Sequence, residues 1–337
     1  MFPSRAHLEQ LLLPSIERVE QARSSYRKVF GQGMLIVLLA VVLTVLIIMT
    51  GYAQAALITA IVAVITIVIT GVIMYRKFNA YRDLFKDNIV RNIIRHLIEQ
   101  CILPDETPEY EYKWNYEKNL GISNYHINEC NLFNSRIDEI SGEDLISGKL
   151  GLTDFEFSEL KLVRIDTNWH GKGQRTKTRV TIFDGVLFVA DFHKDFRGAT
   201  MLLSRGFLGS GGFFNRIGNK VGNVFRSKSE KVRNVNLEND AFNRLFDTNT
   251  TDEVEARYIL SANFMERLVT FAAQHPQQIE ISFVGSKMFL ALSCGNNYFE
   301  PDIRRPVKEQ IGVIRGELVF FLELIELFSL NTRIWSK

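Results

Sequence analysis

From Val29 to Tyr75 the chain contains no Asp, Glu, Lys, Arg or His. Within that segment lie two apolar runs, "GMLIVLLAVVLTVLIIMT" at Gly33 to Thr50 and "AALITAIVAVITIVITGVIMY" at Ala55 to Tyr75. A helix needs about 20 apolar residues to cross the hydrocarbon core, and each run is close to that length. One helix covering the whole segment would be too long for a single crossing, so the chain is expected to turn at Gly51 to Gln54. There Gly51 relieves the backbone, Tyr52 suits an interface and Gln54 prefers water. A buried helical pair in a soluble core would keep some polar stripe, and a cleaved signal peptide would be shorter, earlier and single.

The flanks give an orientation. Arg18, Arg23, Arg27 and Lys28 precede the first run, and Arg76, Lys77, Arg82 and Lys86 follow the second, while the intervening turn is uncharged. Basic flanks stay on the cytoplasmic side. Both termini are therefore expected in the cytoplasm, together with everything after residue 75. The partners this implies are membrane lipids through two spans, and a protein partner or a second copy of the chain. A channel or transporter is a poor fit, because neither span carries an ionisable group. Thr44, Thr59, Thr66 and Thr70, with Gly71, read as helix-packing residues.

Composition adds little beyond this. Lys and Arg total 40 and Asp and Glu 38, so a net charge of +2 gives no pull toward nucleic acid, and no nucleic-acid partner is expected. Cys101, Cys130 and Cys294 are far apart and odd in number, with no disulfide or metal spacing, which suits a reducing compartment.

Residues 1–28 read as an amphipathic helical segment (Leu8, Leu11, Leu12, Ile16, Val19 and Ala22), kinked or restarted at Pro14. Residues 76–103 continue the second span as a helical stalk, stopped by Pro104 and Pro108. Strands are expected in "LGLTDFEFSELKLVRI", as a hairpin around Asp184-Gly185 in "RVTIFDGVLFVADF", and as a hairpin at Gly285-Ser286 in "IEISFVGSKMFLALS". A helix capped by Thr250 with Glu253 follows the first hairpin, with Val269, Phe271 and Ala272 on its apolar side. A last helix, Val307 to Leu330, has Ile311, Ile314, Leu318, Phe321, Leu322, Ile325 and Phe328 on one face, fit to cover an open sheet or the end of a PH-like barrel. The fold class is α+β: an N-terminal two-helix transmembrane hairpin over 29–75, then a cytoplasmic, mainly antiparallel β domain with flanking helices over 104–337.

Three stretches, "SGEDLISGKLGLTDFEFSELKL" at Ser141 to Leu162, "VNLENDAFNRLFD" at Val235 to Asp247 and "EARYILSANFMERL" at Glu255 to Leu268, resemble the bacterial family known as domain of unknown function 3137. The resemblance runs from about Tyr75 onward. It implies a transmembrane pair ahead of a cytoplasmic domain, a bacterial source and hence the inner membrane. It brings no activity and no catalytic residue.

Chemistry is sparse. His7, His96, His126, His170, His193 and His275 are isolated, so no metal site is expected. "GSGGFF" at Gly209 to Phe214 matches neither a dinucleotide nor a phosphate-loop motif, no nucleophile elbow is present, and no cofactor is expected. Asp252, Glu253 and Glu255 sit at a helix start, where the dipole accounts for them. Two stretches remain as candidate membrane-surface or ligand-binding sites. "DTNWHGKGQRTK" places Trp169, His170, Lys172, Arg175 and Lys177 in what reads as an exposed strand connection, able to offer a stacking face and cations to a phosphate or lipid headgroup. "RGFLGSGGFFNRIGNKVGNVFRSKSEKVR" places Phe213, Phe214, Arg216, Lys220, Phe225, Arg226 and Lys228 in a basic, glycine-weakened amphipathic segment suited to an anionic membrane. The plain alternatives are a surface loop and a connection whose aromatics pack on the domain. The leading function is a membrane-anchored binding or scaffold module. The second is a membrane-bound enzyme acting on lipid or peptide, drawing on Asp166, His170, His193 and Asp195.

Overall fold

The computed structural model describes residues 2–99, 113–133, 135–150, 153–170, 174–192, 195–205, 232–274, 277–295 and 297–327. They fall into two compact units. A helical unit comprises Phe2–Gln100 with Phe299–Glu317, and a sheet unit comprises Cys101–Tyr298 with Leu318–Lys337.

In the helical unit, α1 (Arg5–Leu11) is capped by the Ser4 hydroxyl, which accepts from the His7 amide. Pro14 restarts the chain as α2 (Leu13–Met49), sitting in the first turn where no N–H is needed. After a turn in which Gly51 takes φ +80°, α3 (Ala53–Phe85) begins. One π-helical turn, Lys86–Val90, leads into α4 (Arg91–Glu99). Both long helices are apolar and long enough to cross a membrane, and only 6% of each one's most apolar window is buried. Soluble core helices of this composition would be covered, so these side chains face outward for another reason. The two helices touch at Gly33, where a Cβ would come within 2.7 Å of the Thr70 side chain. Gly71 has nothing within 4 Å, so the packing glycine is Gly33 and not Gly71. Thr44, Thr59 and Thr66 return their hydroxyls to the carbonyls of Ala40, Ala55 and Val62 in their own helices, and the Thr44 hydroxyl also reaches the Thr59 carbonyl of α3 at 3.4 Å.

Two of the flanking cations have internal duties. Arg23 is buried, holds Glu20 and donates to the Ile303 carbonyl at 2.9 Å, while Glu20 accepts from the Val307 amide at 2.9 Å. Lys86 is 2% exposed and pairs with Glu300 at 2.5 Å. Arg18, Arg27, Lys28, Arg76 and Lys77 remain exposed. Beside this cluster, burial pushes the Tyr81 hydroxyl up to about 12.

The sheet unit is built from β1 (Lys113–Glu117), β2 (Glu139–Leu150), β3 (Thr153–His170), β4 (Gln174–Asp191), β5 (Ala199–Ser204), β6 (Arg233–Val235), β7 (Phe246–Thr250), β8 (Gln278–Val284) and β9 (Lys287–Ser293). Among the described residues these nine strands form one open antiparallel sheet in the order β1-β2-β3-β4-β9-β8-β5-β7-β6, not a closed barrel. One face is covered by α5 (Asn124–Glu129) and the residues after it. There Ile122, Ile127, Cys130 and Leu132 pack on Leu160, Leu162, Leu187, Met201 and Phe289. The helices α6 (Asp240–Leu245), α7 (Glu253–Ile259) and α8 (Ala262–Gln274) follow in the chain. On the other face Phe264 of α8 meets Phe283, and Phe321, from the second half of α9 (Val307–Leu327), stacks on Phe157 at 4.6 Å.

Three local expectations change. Asp184-Gly185 is not a turn: β4 runs straight through it. Gly185 is there because β9 lies against it, and a Cβ would meet the Leu292 carbonyl oxygen at 2.0 Å. The cap of the post-hairpin helix is Asp252, which accepts from the Glu255 amide, while Thr250 ends β7 and is buried. That helix also breaks at Leu260, and α8 buries Phe264, Met265, Leu268 and Phe271, leaving Val269 and Ala272 half-buried. The hairpin at Gly285-Ser286 stands as expected, with Gly285 at φ +63°.

Gly185→Ala should split β4 from β9 and lower the unfolding free energy by about 3 kcal/mol. Gly71→Ala, which meets nothing, should leave stability within about 0.5 kcal/mol. Circular dichroism during denaturant titration of the full chain in detergent would check both.

Candidate functional site

The β3–β4 pair is longer than the sheet around it. β2 pairs with β3 only as far as Val163, and β9 pairs with β4 only from Gly185. Residues 164–170 and 174–180 therefore pair with each other alone, as a two-stranded ribbon. A bulge between Leu162 and Val163 marks its base. Its outer edge is clipped where Asp138 accepts from the Ile165 amide and Arg136 donates to the Ile165 carbonyl, both at 2.7 Å. The Arg136 guanidinium, together with that amide, holds the Asp138 carboxyl below its usual range. "DTNWHGKGQRTK" is thus mostly paired strand and not a strand connection: Trp169 is opposite Arg175, and His170 opposite Gln174. Lys172 lies outside the described residues.

A cleft of about 490 Å³ opens at the middle of β2, β3 and β4, lined among others by Ser141, Glu143, Glu159, Lys161, Asp184 and Asn297. Such a volume suits a small ligand. Lys161 and Asp184 are direct cross-strand partners and pair at 2.6 Å. Glu159, 8% exposed, is held in the wall. Nearby, the Tyr116 hydroxyl donates to Asp144 at 2.5 Å, both groups fully buried, with Asp144 at φ +57° in a bulge of β2.

On the opposite face, beside the β8–β9 turn, His126 of α5 links two strands. Its Nδ1 meets the Glu156 carboxylate and its Nε2 lies 2.6 Å from Lys287 Nζ. An ammonium can only donate, so Nε2 accepts and Nδ1 carries the proton. The Lys287 ammonium also lies 5.7 Å from the Tyr125 ring centre.

Residues 181–330 match the family described as "Protein of unknown function (DUF3137)". That is the family the three quoted stretches resemble. Val235 to Asp247 and Glu255 to Leu268, two of the stretches that carried the resemblance, lie inside the DUF3137 match, and Ser141 to Leu162 lies outside it. No curated protein matches the chain. Among solved structures, the mycobacterial trehalose monomycolate transport factor A is similar at 8% identity, over 64% of this chain and 88% of that one, with a TM-score of 0.28. A likeness of that size carries no argument.

The residues proposed for chemistry are scattered. Asp166 pairs with Arg164 at 2.7 Å on the ribbon, Asp195 is exposed after β4, and neither lines the cleft. His193 lies outside the described residues, as do Phe213, Phe214, Arg216, Lys220, Phe225, Arg226 and Lys228. The cleft residues were missed because none has motif spacing, and they meet only through strand register.

Within the DUF3137 region, Glu280 on β8 is 4% exposed among apolar neighbours, directly opposite Leu203 and Ala291. Burial pushes its carboxyl up to about 7, against a hydrogen bond from Gln278 at 3.2 Å that lowers it. Burial likewise pushes the Cys130 thiol up to about 12, so it stays protonated. The Glu280 shift has a consequence for stability. The raised carboxyl is protonated in the folded chain while the unfolded one is ionised. Stability is therefore intact below the ordinary carboxylate pKa and is lost as pH rises through 7, by about 3 kcal/mol at most. Glu280→Gln should flatten this fall between pH 5 and pH 8 in denaturant melts of the full chain.

Proposed function

We propose that this chain is a membrane-anchored binding module of a bacterial inner membrane. In this reading α2 and α3 cross the bilayer as a hairpin, the Gly51 turn lies on the far side, and both termini and the sheet unit lie in the cytoplasm. The observation that carries it is the pair of helices whose outward apolar side chains, such as Leu38, Leu39, Ile58 and Val64, have no protein cover and no ionisable group among them. Exposed apolar surface on that scale needs lipid. The exposed cations Arg18, Arg27, Lys28, Arg76 and Lys77 flank the hairpin on the side of both termini. The sheet unit then works by binding a protein partner or lipid at the cytoplasmic face.

The full chain should stay with membranes after alkaline carbonate extraction. A reporter active only outside the cytoplasm should be silent when fused after Lys337 and active when inserted between Gly51 and Tyr52. The reverse pattern, or release by carbonate, would overturn the reading.

A further inference from the structure

The β3–β4 ribbon serves neither the cleft nor the hairpin, and its charges are ordered. Arg175, Lys177 and Arg179 alternate along β4, so their side chains share one face, spaced about 6.6 Å apart along the strand. All three are exposed. Opposite Lys177 and Arg179 on that face stand Thr167 and Ile165, while Asp166, opposite Thr178, belongs to the other face and is held by Arg164. Arg179 also reaches Glu139 of β2, an exposed pair of low strength. The face therefore carries three exposed cations in a row.

We propose that this ribbon docks on an anionic phospholipid leaflet through Arg175, Lys177 and Arg179. Charge complementarity selects the partner class, since a planar array of phosphates can meet all three cations at once. Membrane anchoring selects lipid over nucleic acid, because the hairpin keeps the ribbon at high local lipid concentration; in this the inference rests on the anchored reading. Ile165, and Trp169 opposite Arg175, also hold positions on this face by register, and the part of the contact that the cations carry weakens with salt.

The test reconstitutes the full chain into phosphatidylcholine liposomes and measures capture of added fluorescent vesicles. Vesicles containing phosphatidylglycerol should be captured and pure phosphatidylcholine vesicles should not, with capture falling as salt rises. The triple variant R175Q/K177Q/R179Q should weaken capture roughly 100-fold, at about fivefold per cation. The conservative variant R175K/R179K, which controls for folding, should capture as wild type. Equal capture by the triple variant and wild type, or equal capture of neutral vesicles, would overturn the proposal. Competition by duplex DNA at concentrations where vesicles still bind poorly would assign the ribbon to nucleic acid instead, and competition by inorganic phosphate alone would assign it to a free anion. Release of the chain from liposomes by carbonate would overturn the anchored reading alone, and the same variants are then compared by flotation with the anionic vesicles.

Discussion

A backbone without water must satisfy its N–H and C=O groups within itself, and a stretch without charges has no side chain to hold it in water. Val29 to Tyr75 meets both conditions: it carries no charge, and α2 and α3 are unbroken helices whose threonines bond to backbone carbonyls. Only near Gly51, which takes φ +80°, does the chain leave helical geometry between Leu13 and Phe85. Helix contact follows from the same economy of side chains: Gly33 admits Thr70, where a methyl group would collide.

The helical unit turns two charges inward that would otherwise be read as surface cations. Arg23 and Lys86 are both buried, and both act on the segment Phe299–Glu317 of the same unit, through the Ile303 carbonyl and Glu300. Buried charges of this kind are tolerated only with partners, so these contacts fix the segment's register more than they add stability. In the sheet unit the corresponding constraint is close strand approach. Gly185 lets β9 lie against β4, the contact that joins the four strands β1 to β4 to the other five.

Much of the outline was legible from residues. The two apolar helices, the restart at Pro14, the Gly285-Ser286 hairpin and the last helix each follow from a local signal strong enough to survive packing. The Asp184-Gly185 signal failed because a glycine inside a strand has two meanings, a turn or a close neighbour, and only the neighbour's position separates them. The short strands β1, β5, β6 and β7 were not visible because three to six residues carry too little periodicity. β2 was hidden by its bulge, glycines and polar faces. Thr250 lost the capping role to Asp252 because the sheet claimed it first.

The amino-acid sequence by itself determined which segments are apolar helices, because charge-free length is a property of the chain and needs no neighbour to act. It also determined the α+β class and the two stretches that fall inside the DUF3137 match. Tertiary structure alone decided which charged residues meet. The Lys161–Asp184 pair is a product of strand register, the Glu156–His126–Lys287 chain also needs α5 packed on the sheet, and the isolation of the ribbon that carries Arg175, Lys177 and Arg179 follows from where the neighbouring strands end. Register is set by pairing across the sheet, where a shift of one residue moves every side chain to the other face.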